Sequence, residues 1–322
     1  MNRPIKVQQK LKTGDKLVAF PQQPPTLELV RPPEWTDYEL IDSGGGMKLE
    51  RFGRFRLSRP EAEAVWQPRL PQSEWDSADA TYQPAPEENG GHWMFRRKLP
   101  EQWNMHYQQY TFEVRTSASR HVGLFPEQAS QWDWIAEQTR TAGRPLQVLN
   151  LFGYTGIASL AAAGAGARVT HVDASRKVIE WARRNQQLSG MGELPIRWII
   201  DDAVKFVQRE SRRKAAYDGL ILDPPKFGRG PKGEVWEFYR LLPALLRACR
   251  QALSAQPRFV VLTAYAVKAS AVTLYHAVEE MMADFSGITS AGEAVLVDRS
   301  GARTLSMAVF ARWAELERVE EQ

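Results

Sequence analysis

Beyond residue 121 two textures alternate along the chain. Short runs rich in apolar and β-branched residues occur at Leu146–Leu151, Arg168–Val172, Ile196–Ile200, Gly219–Leu222 and Arg258–Thr263. Between and after them, Ile157–Ala163, Arg176–Leu188, Ala203–Arg209, Tyr239–Leu253 and Ala271–Ala283 carry apolar residues at the three-to-four spacing of one helix face. Strands that are apolar on both faces need cover on each side, and intervening helices supply it through right-handed crossovers. The pattern predicts an α/β fold with a mostly parallel, doubly wound, Rossmann-like sheet. The last runs, Ala294–Asp298 and Leu305–Trp313, flank Arg299-Ser300-Gly301-Ala302. They read as a C-terminal β-hairpin closing one sheet edge.

The first third has a different pattern. Residues 1–40 are rich in Gln, Pro and Lys, and Pro21, Pro24, Pro25, Pro32 and Pro33 interrupt any periodicity, so this part is predicted to be an extended arm. From Tyr38 short apolar segments such as Met47–Leu57, Trp93–Leu99 and Tyr110–Thr116 are separated by turn clusters such as Asp42-Ser43-Gly44-Gly45-Gly46 and the polar stretch Gln83–Gly91. The expected organisation is an arm at 1–40, a small β-rich module at 41–118 and the α/β domain at 119–322. Eleven Trp are present, and those before residue 105 are expected to build the module's core.

Composition narrows the chemistry. Apolar residues at 43% and charged residues at 25% are ordinary globular values. No apolar run approaches the ~20 residues that span a bilayer, and the polar N-terminus has no signal-peptide core, so a cytoplasmic protein with no membrane partner is expected. The single cysteine, Cys249, rules out an internal disulfide framework and a Cys-based zinc site in one chain. Five scattered histidines show no ligand spacing, and no metal is assigned. The formal charge of +4 permits a nucleic-acid partner without requiring one.

Ligands of doubly wound sheets bind beyond the carboxyl ends of the strands. The first strand ends in Asn150-Leu151-Phe152-Gly153-Tyr154-Thr155-Gly156, a glycine-bearing turn into a helix. A dinucleotide fingerprint would need glycine at Leu151 as well, which disfavours a nicotinamide cofactor. The second strand ends in Asp173, where a carboxylate can accept from both hydroxyls of a ribose. The third ends in Asp201-Asp202-Ala203, where a carboxylate can accept from the exocyclic amine of a purine. The fourth ends in Asp223-Pro224-Pro225-Lys226-Phe227, whose two prolines stiffen the backbone and fix the Asp223 side chain and the Pro224 carbonyl. Any one such Asp can be a helix N-cap; three in succession behind a glycine turn point to a ligand site.

The stretch Asn150–Gly156, together with His171-Val172-Asp173-Ala174-Ser175, Asp202-Ala203 and Leu222-Asp223-Pro224-Pro225-Lys226-Phe227, resembles in order and spacing the motifs of class I S-adenosylmethionine-dependent methyltransferases. More narrowly, it resembles the bacterial large-subunit ribosomal RNA methyltransferases of the cytosine carbon-5 and guanine groups. The likeness spans Gly123–Arg312. It implies S-adenosyl-L-methionine as cofactor, with its methionine part at Asn150, Phe152, Gly153 and Gly156, its ribose at Asp173 and its adenine amine at Asp202. Phe125-Pro126-Glu127-Gln128 resembles the family's Phe-x-x-Gln segment, so Phe125 and Gln128 are expected to close the cofactor pocket, beside Asp223.

One departure alters the expected reaction. Cytosine carbon-5 methylation requires a thiolate that adds to the ring. The family's cysteine falls on Thr263-Ala264-Tyr265-Ala266-Val267, which has none, and Cys249 sits at helical spacing among apolar residues. The expected activity is methyl transfer to RNA, preferably rRNA, at a base nitrogen, with Asp223, Pro224 and Lys226 as catalytic residues. A base edge would be oriented by Asp223 and the Pro224 carbonyl, with Phe227 or Tyr265 stacking on the ring; a ribose hydroxyl would instead be deprotonated with help from Lys226. Rival readings are a protein or small-molecule methyltransferase, and a cofactor-binding RNA module without catalysis. Among basic clusters, Lys205, Arg209, Arg212, Arg213 and Lys214 read as a solvated helix face. Lys226, Arg229 and Lys232 lie at the expected site mouth. Arg51, Phe52, Arg54, Phe55, Arg56 and Arg59 interleave charge with aromatics as single-strand binders do, but read better as a half-buried strand with Phe55 and Leu57 inward.

Overall fold

The structure, a computed structural model, describes residues 24–85, 90–117 and 119–316. Residues 1–23 of the expected arm, 86–89 of the polar stretch and 317–322 of the α/β domain lie outside the described residues. The described part of the arm contains β1 (Leu27–Val30), which pairs in parallel with a C-terminal strand. A residue segment read as an arm is thus, in part, a strand of the main sheet.

The N-terminal module comprises β2 (Tyr38–Gly44), β3 (Met47–Phe52), β4 (Phe55–Pro60), a short helix α1 (Gln72–Asp76), β5 (Ala80–Pro84), β6 (Gly91–Phe95), β7 (Gln102–Tyr107) and β8 (Tyr110–Arg115). Strands β2 to β6 form one sheet in chain order, and β7 and β8 a separate ribbon. Along β4 Phe55 and Leu57 face the core, as the alternation predicts, but Arg59 is also buried and donates to both Glu50 carboxylate oxygens at 2.7 Å. Trp35 and Trp93 belong to the module's core, with Trp66 and Trp103 packed against it. That core continues into the α/β domain through Trp132, Ile157 and Leu160.

A turn at Pro126–Gln128 leads into α2 (Ala129–Arg140), followed by β9 (Gln147–Leu151), α3 (Ile157–Gly164), β10 (Arg168–Asp173), α4 (Arg176–Leu188), β11 (Ile196–Ile200), α5 (Ala203–Arg212) and β12 (Gly219–Leu222). A small hairpin, β13 (Phe227–Arg229) and β14 (Val235–Glu237), precedes α6 (Phe238–Ala252), β15 (Phe259–Ala264), α7 (Ala271–Met282), β16 (Gly287–Val297) and β17 (Thr304–Glu315). The main sheet has the order β1-β16-β17-β15-β12-β9-β10-β11. β9 to β12 and β15 are mutually parallel, and β17 is antiparallel to β15. Every residue of β12 and β15 is buried, as parallel strands covered on both faces require. The predicted hairpin is present as β16 and β17, but it does not close the sheet: β1 lies outside it. A Cβ on Gly292 would lie 1.8 Å from the Glu28 carbonyl oxygen, so glycine there is what lets β1 approach.

Candidate active site

The five parallel strands present their carboxyl ends along one edge, and the strand order reverses between β9 and β12. A cavity of about 940 Å³ opens there, where open α/β sheets hold ligands.

The turn after β9 forms one wall. Phe152 (φ 59°) and Tyr154 (φ 49°) are left-handed without being glycine, a strained state that surroundings must enforce. Here Tyr154 N donates to the Asp173 carboxylate at 3.1 Å, Gly153 N donates to Val172 O at 3.1 Å, and the Phe152 ring lies 4.9 Å from that of Trp236. Gly153 has no space for a side chain, since a Cβ would fall 2.3 Å from the His171 ring. Behind the turn Asn150 Nδ2 donates to Ser159 Oγ at 2.9 Å, and that oxygen is 2.9 Å from His171 Nδ1. Burial pushes the His171 imidazole down to about 3, so it is neutral and serves as packing. Asn150 and Gly153 line a smaller cavity of about 50 Å³ together with Gln128; Gly156 lines neither cavity and provides the left-handed start of α3.

Asp173 and Asp202 both line the large cavity. Ser175 N donates to Asp173 at 2.9 Å. Burial raises this carboxyl, and the backbone donors of Tyr154 and Ser175 oppose the rise. Asp202 is the N-cap of α5, accepting from Lys205 N at 2.9 Å, so capping and access to the cavity coexist in one residue. Asp201 is instead turned to an ion pair with Arg209.

Beyond β12, Asp223, Pro224 and Lys226 line the same cavity. Trp236 Nε1 donates to Pro225 O at 2.5 Å, and Phe238 N donates to Lys226 O at 3.1 Å. The β13–β14 hairpin and the start of α6 therefore clamp the proline loop from behind. Gln128 Nε2 lies 3.5 Å from Asp223 Oδ2, and Asp223 Oδ1 is enclosed without a partner among the described residues. Burial, reinforced by Glu127, pushes the Asp223 carboxyl up to about 8.

The Phe125 ring forms an aromatic wall with Tyr154 at 5.6 Å and Tyr265 at 5.1 Å. Tyr265 lines the cavity, whereas Phe227 is 56% exposed and is not part of its lining. Of the basic residues that follow β12, Lys226 and Arg229 line the cavity and Lys232 does not. Lys205 is paired with Glu234 at 2.6 Å and Arg213 with Glu210 at 3.1 Å. Cys249 is fully buried in α6, and burial pushes its thiol up to about 12. Sequence reasoning gave no role to Lys48, Arg59, Glu127 and Tyr154, all of which line the cavity. Their signal is non-local, because two of them come from the N-terminal module.

The sheet order and the site at its reversal define a Rossmann-like class of cofactor-binding enzyme. Residues 78–277 match the S-adenosylmethionine-dependent methyltransferase family, and the chain belongs to that family. A crystal structure of the S-adenosylmethionine-dependent methyltransferase from Agrobacterium tumefaciens is 45% identical, covering 91% of this chain and 96% of that one, with a TM-score of 0.86. SMU.776, solved in complex with S-adenosylhomocysteine, is 19% identical with a TM-score of 0.67, covering 88% of this chain and 76% of that one; it shares the fold. The ribosomal RNA large subunit methyltransferase K/L of Magnetococcus marinus is 38% identical over 118 residues, which is 36% of this chain and 15% of the relative. That of Hahella chejuensis is 34% identical over 145 residues, 44% of this chain and 19% of the relative. The matched region thus spans less than a fifth of either relative.

The residues present suit the family's cofactor, S-adenosylmethionine. Carboxylates stand at the ends of β10 and β11, aromatic rings flank them, and the enclosed Asp223 Oδ1 has no partner among the described residues. No described helix is long and apolar enough to cross a membrane.

Proposed function

We propose that the chain methylates a base nitrogen of RNA, with ribosomal RNA as the substrate class. The observation that carries this reading is the Asp223-Pro224-Pro225-Lys226 loop. Its backbone is clamped by Trp236 and Phe238, and one oxygen of its enclosed carboxyl, Asp223 Oδ1, has no partner among the described residues. Such a group accepts from, or donates to, the edge of a base taken out of its stack. The similarity to K/L ribosomal RNA methyltransferases supports RNA as the partner.

Bound S-adenosylmethionine supplies an electrophilic methyl group on a sulfonium. In this reading Asp173 holds the ribose and Asp202 the adenine amine. Phe152, Gly153 and Gly156 shape the turn around the methionine part, and Asn150 braces that turn from behind through Ser159. Phe125 and Gln128 close the pocket. Asp223 and the Pro224 carbonyl orient the acceptor in line with the methyl group, and Tyr265, whose ring lies against Phe125, stacks on the base. Lys226 and Arg229 neutralise phosphate at the mouth. Carbon-5 chemistry is disfavoured because Ala264, Tyr265, Ala266 and Val267 occupy the cavity wall after β15, and Cys249 is buried in α6.

The test is transfer of tritiated methyl into RNA, protein and metabolite fractions from a strain lacking the protein, followed by nucleoside mass spectrometry. An N-methylated base in RNA is expected. Label confined to protein or metabolites, or a methylated ribose, would overturn the assignment.

A further inference from the structure

Three side-chain oxygens in one cavity are enclosed without a hydrogen-bond partner among the described residues: Asp223 Oδ1, Glu127 Oε1 and Tyr265 Oη. Buried polar groups are nearly always paired, and three orphans in one cavity mark a place built for a ligand or a proton. They come from different elements. Glu127 sits in the turn before α2 and is 1% exposed, Asp223 follows β12, and Tyr265 follows β15. Gln128, next to Glu127, reaches within 3.5 Å of Asp223 Oδ2, which ties the first two elements together.

We infer that Glu127 is a catalytic residue, which with Asp223 forms a two-carboxyl group that takes the proton released when a base nitrogen is methylated. This rests on the base-nitrogen reading above. The step balances as follows. The acceptor nitrogen's lone pair forms the N–C bond, the S–C bond breaks with its electron pair left on sulfur, and the N–H proton passes to the carboxyl pair.

The electrostatics agree with the geometry. Glu127 raises the Asp223 carboxyl, and burial raises both, so two carboxyls in one enclosed space cannot both ionise cheaply. One proton and one negative charge are retained, and that charge is the base. The charged groups facing the pair from the module are Lys48 and Glu50 on β3 and Arg59 on β4. Arg59 is already committed to Glu50 at 2.7 Å. Lys48 is 3.2 Å from Glu61 and 3.9 Å from Glu50. Both cations are therefore spent on other carboxylates, which leaves Glu127 without an ion-pair partner among the described residues. Tyr265 feels both carboxylates, and burial places its hydroxyl well above the usual range, so it stays neutral beside them.

The test compares wild type, Glu127→Gln and Tyr265→Phe, with circular dichroism as a check on folding. Carboxyl carbon NMR titration of the free protein identifies the Asp223 signal by its loss in Asp223→Asn. In Glu127→Gln that signal should titrate at least one pH unit lower, a result needing neither cofactor nor RNA. An unchanged Asp223 titration would overturn the shared-proton pair. Methyl transfer into RNA from the deletion strain should fall at least tenfold in Glu127→Gln, with S-adenosylhomocysteine affinity unchanged and the acid limb of the pH–rate profile displaced. Equal rates and profiles in wild type and Glu127→Gln would overturn the catalytic role. If no RNA is labelled by the wild type, the base-nitrogen reading fails while the titration still judges the pair.

Discussion

Asp223→Asn is expected to abolish methyl transfer and to stabilise the protein. In the folded chain the Asp223 carboxyl titrates near 8, whereas its ordinary value is 3.8. Between those values the folded state keeps a proton that the unfolded state has lost. Wild-type stability therefore falls as pH rises from about 4 to about 8, by ~1.4 kcal/mol per pH unit for a single group. Asparagine occupies nearly the same volume and cannot ionise, so its stability curve lacks that fall. Variant and wild type should be almost equal near pH 4. They should differ by about 4 kcal/mol near pH 7 and then run parallel above about pH 8. Urea unfolding read by tryptophan fluorescence, across that range and without cofactor, measures the difference directly. A gap that is constant with pH would mean that Asp223 titrates normally. A variant less stable at every pH would mean that the carboxyl makes native contacts worth more than its buried charge costs, and either result refutes the reasoning.

Asp173→Ala should weaken S-adenosylhomocysteine binding by about 1 to 3 kcal/mol, the loss for hydrogen bonds to a charged group; unchanged affinity by calorimetry would remove the ribose assignment. Trp236→Phe keeps the ring against Phe152 but deletes the donor to Pro225 O. Turnover should drop by roughly tenfold with cofactor affinity intact, because the loop is then held less closely. Gly153→Ala places a Cβ 2.3 Å from His171, so cofactor binding should be lost in a folded protein; normal binding would show that the turn is not the cofactor's wall. Cys249→Ala should transfer methyl groups at the wild-type rate while losing about 1 to 2 kcal/mol of stability from the cavity it leaves, and a folded but inactive variant would restore a role for the thiol.

The parts of the fold legible in the sequence are those set by local contrast. β11 and β12 begin and end where predicted, at Ile196–Ile200 and Gly219–Leu222, and α4 spans the predicted Arg176–Leu188 behind its Ser175 cap. α2 is not legible in the sequence although Trp132, Ile135, Ala136 and Thr139 are all buried along one side; its first turn is polar and its mean hydropathy low, so the stripe has little contrast. The hairpin of β13 and β14 has only three residues per strand, too few for an alternation to register among the glycines. β1 is exposed over most of its length and is specified by Gly292, a residue far along the chain. The site divides in the same way. Asp173, Asp202 and Asp223 end apolar runs and announce themselves. Glu127 lies between a proline and a glutamine, and only the module's Lys48, Glu50 and Arg59, brought opposite it by folding, make it unusual.

The way β17 is inserted beside β15 has a consequence for how the chain can be divided. The family match stops at residue 277, but β15, buried at every position, has β17 as its outer neighbour. A recombinant fragment trimmed to the matched span would begin inside the module and lack β16 and β17, leaving Phe259–Ala264 as a bare apolar edge that pairs with any other open strand. It would also lose Lys48 and Arg59 from the cavity wall. The span that recognises the family is therefore shorter than the span that covers its own sheet edge. Aggregation of such a fragment would report on where it was cut, and say nothing about whether the catalytic sequence is sound.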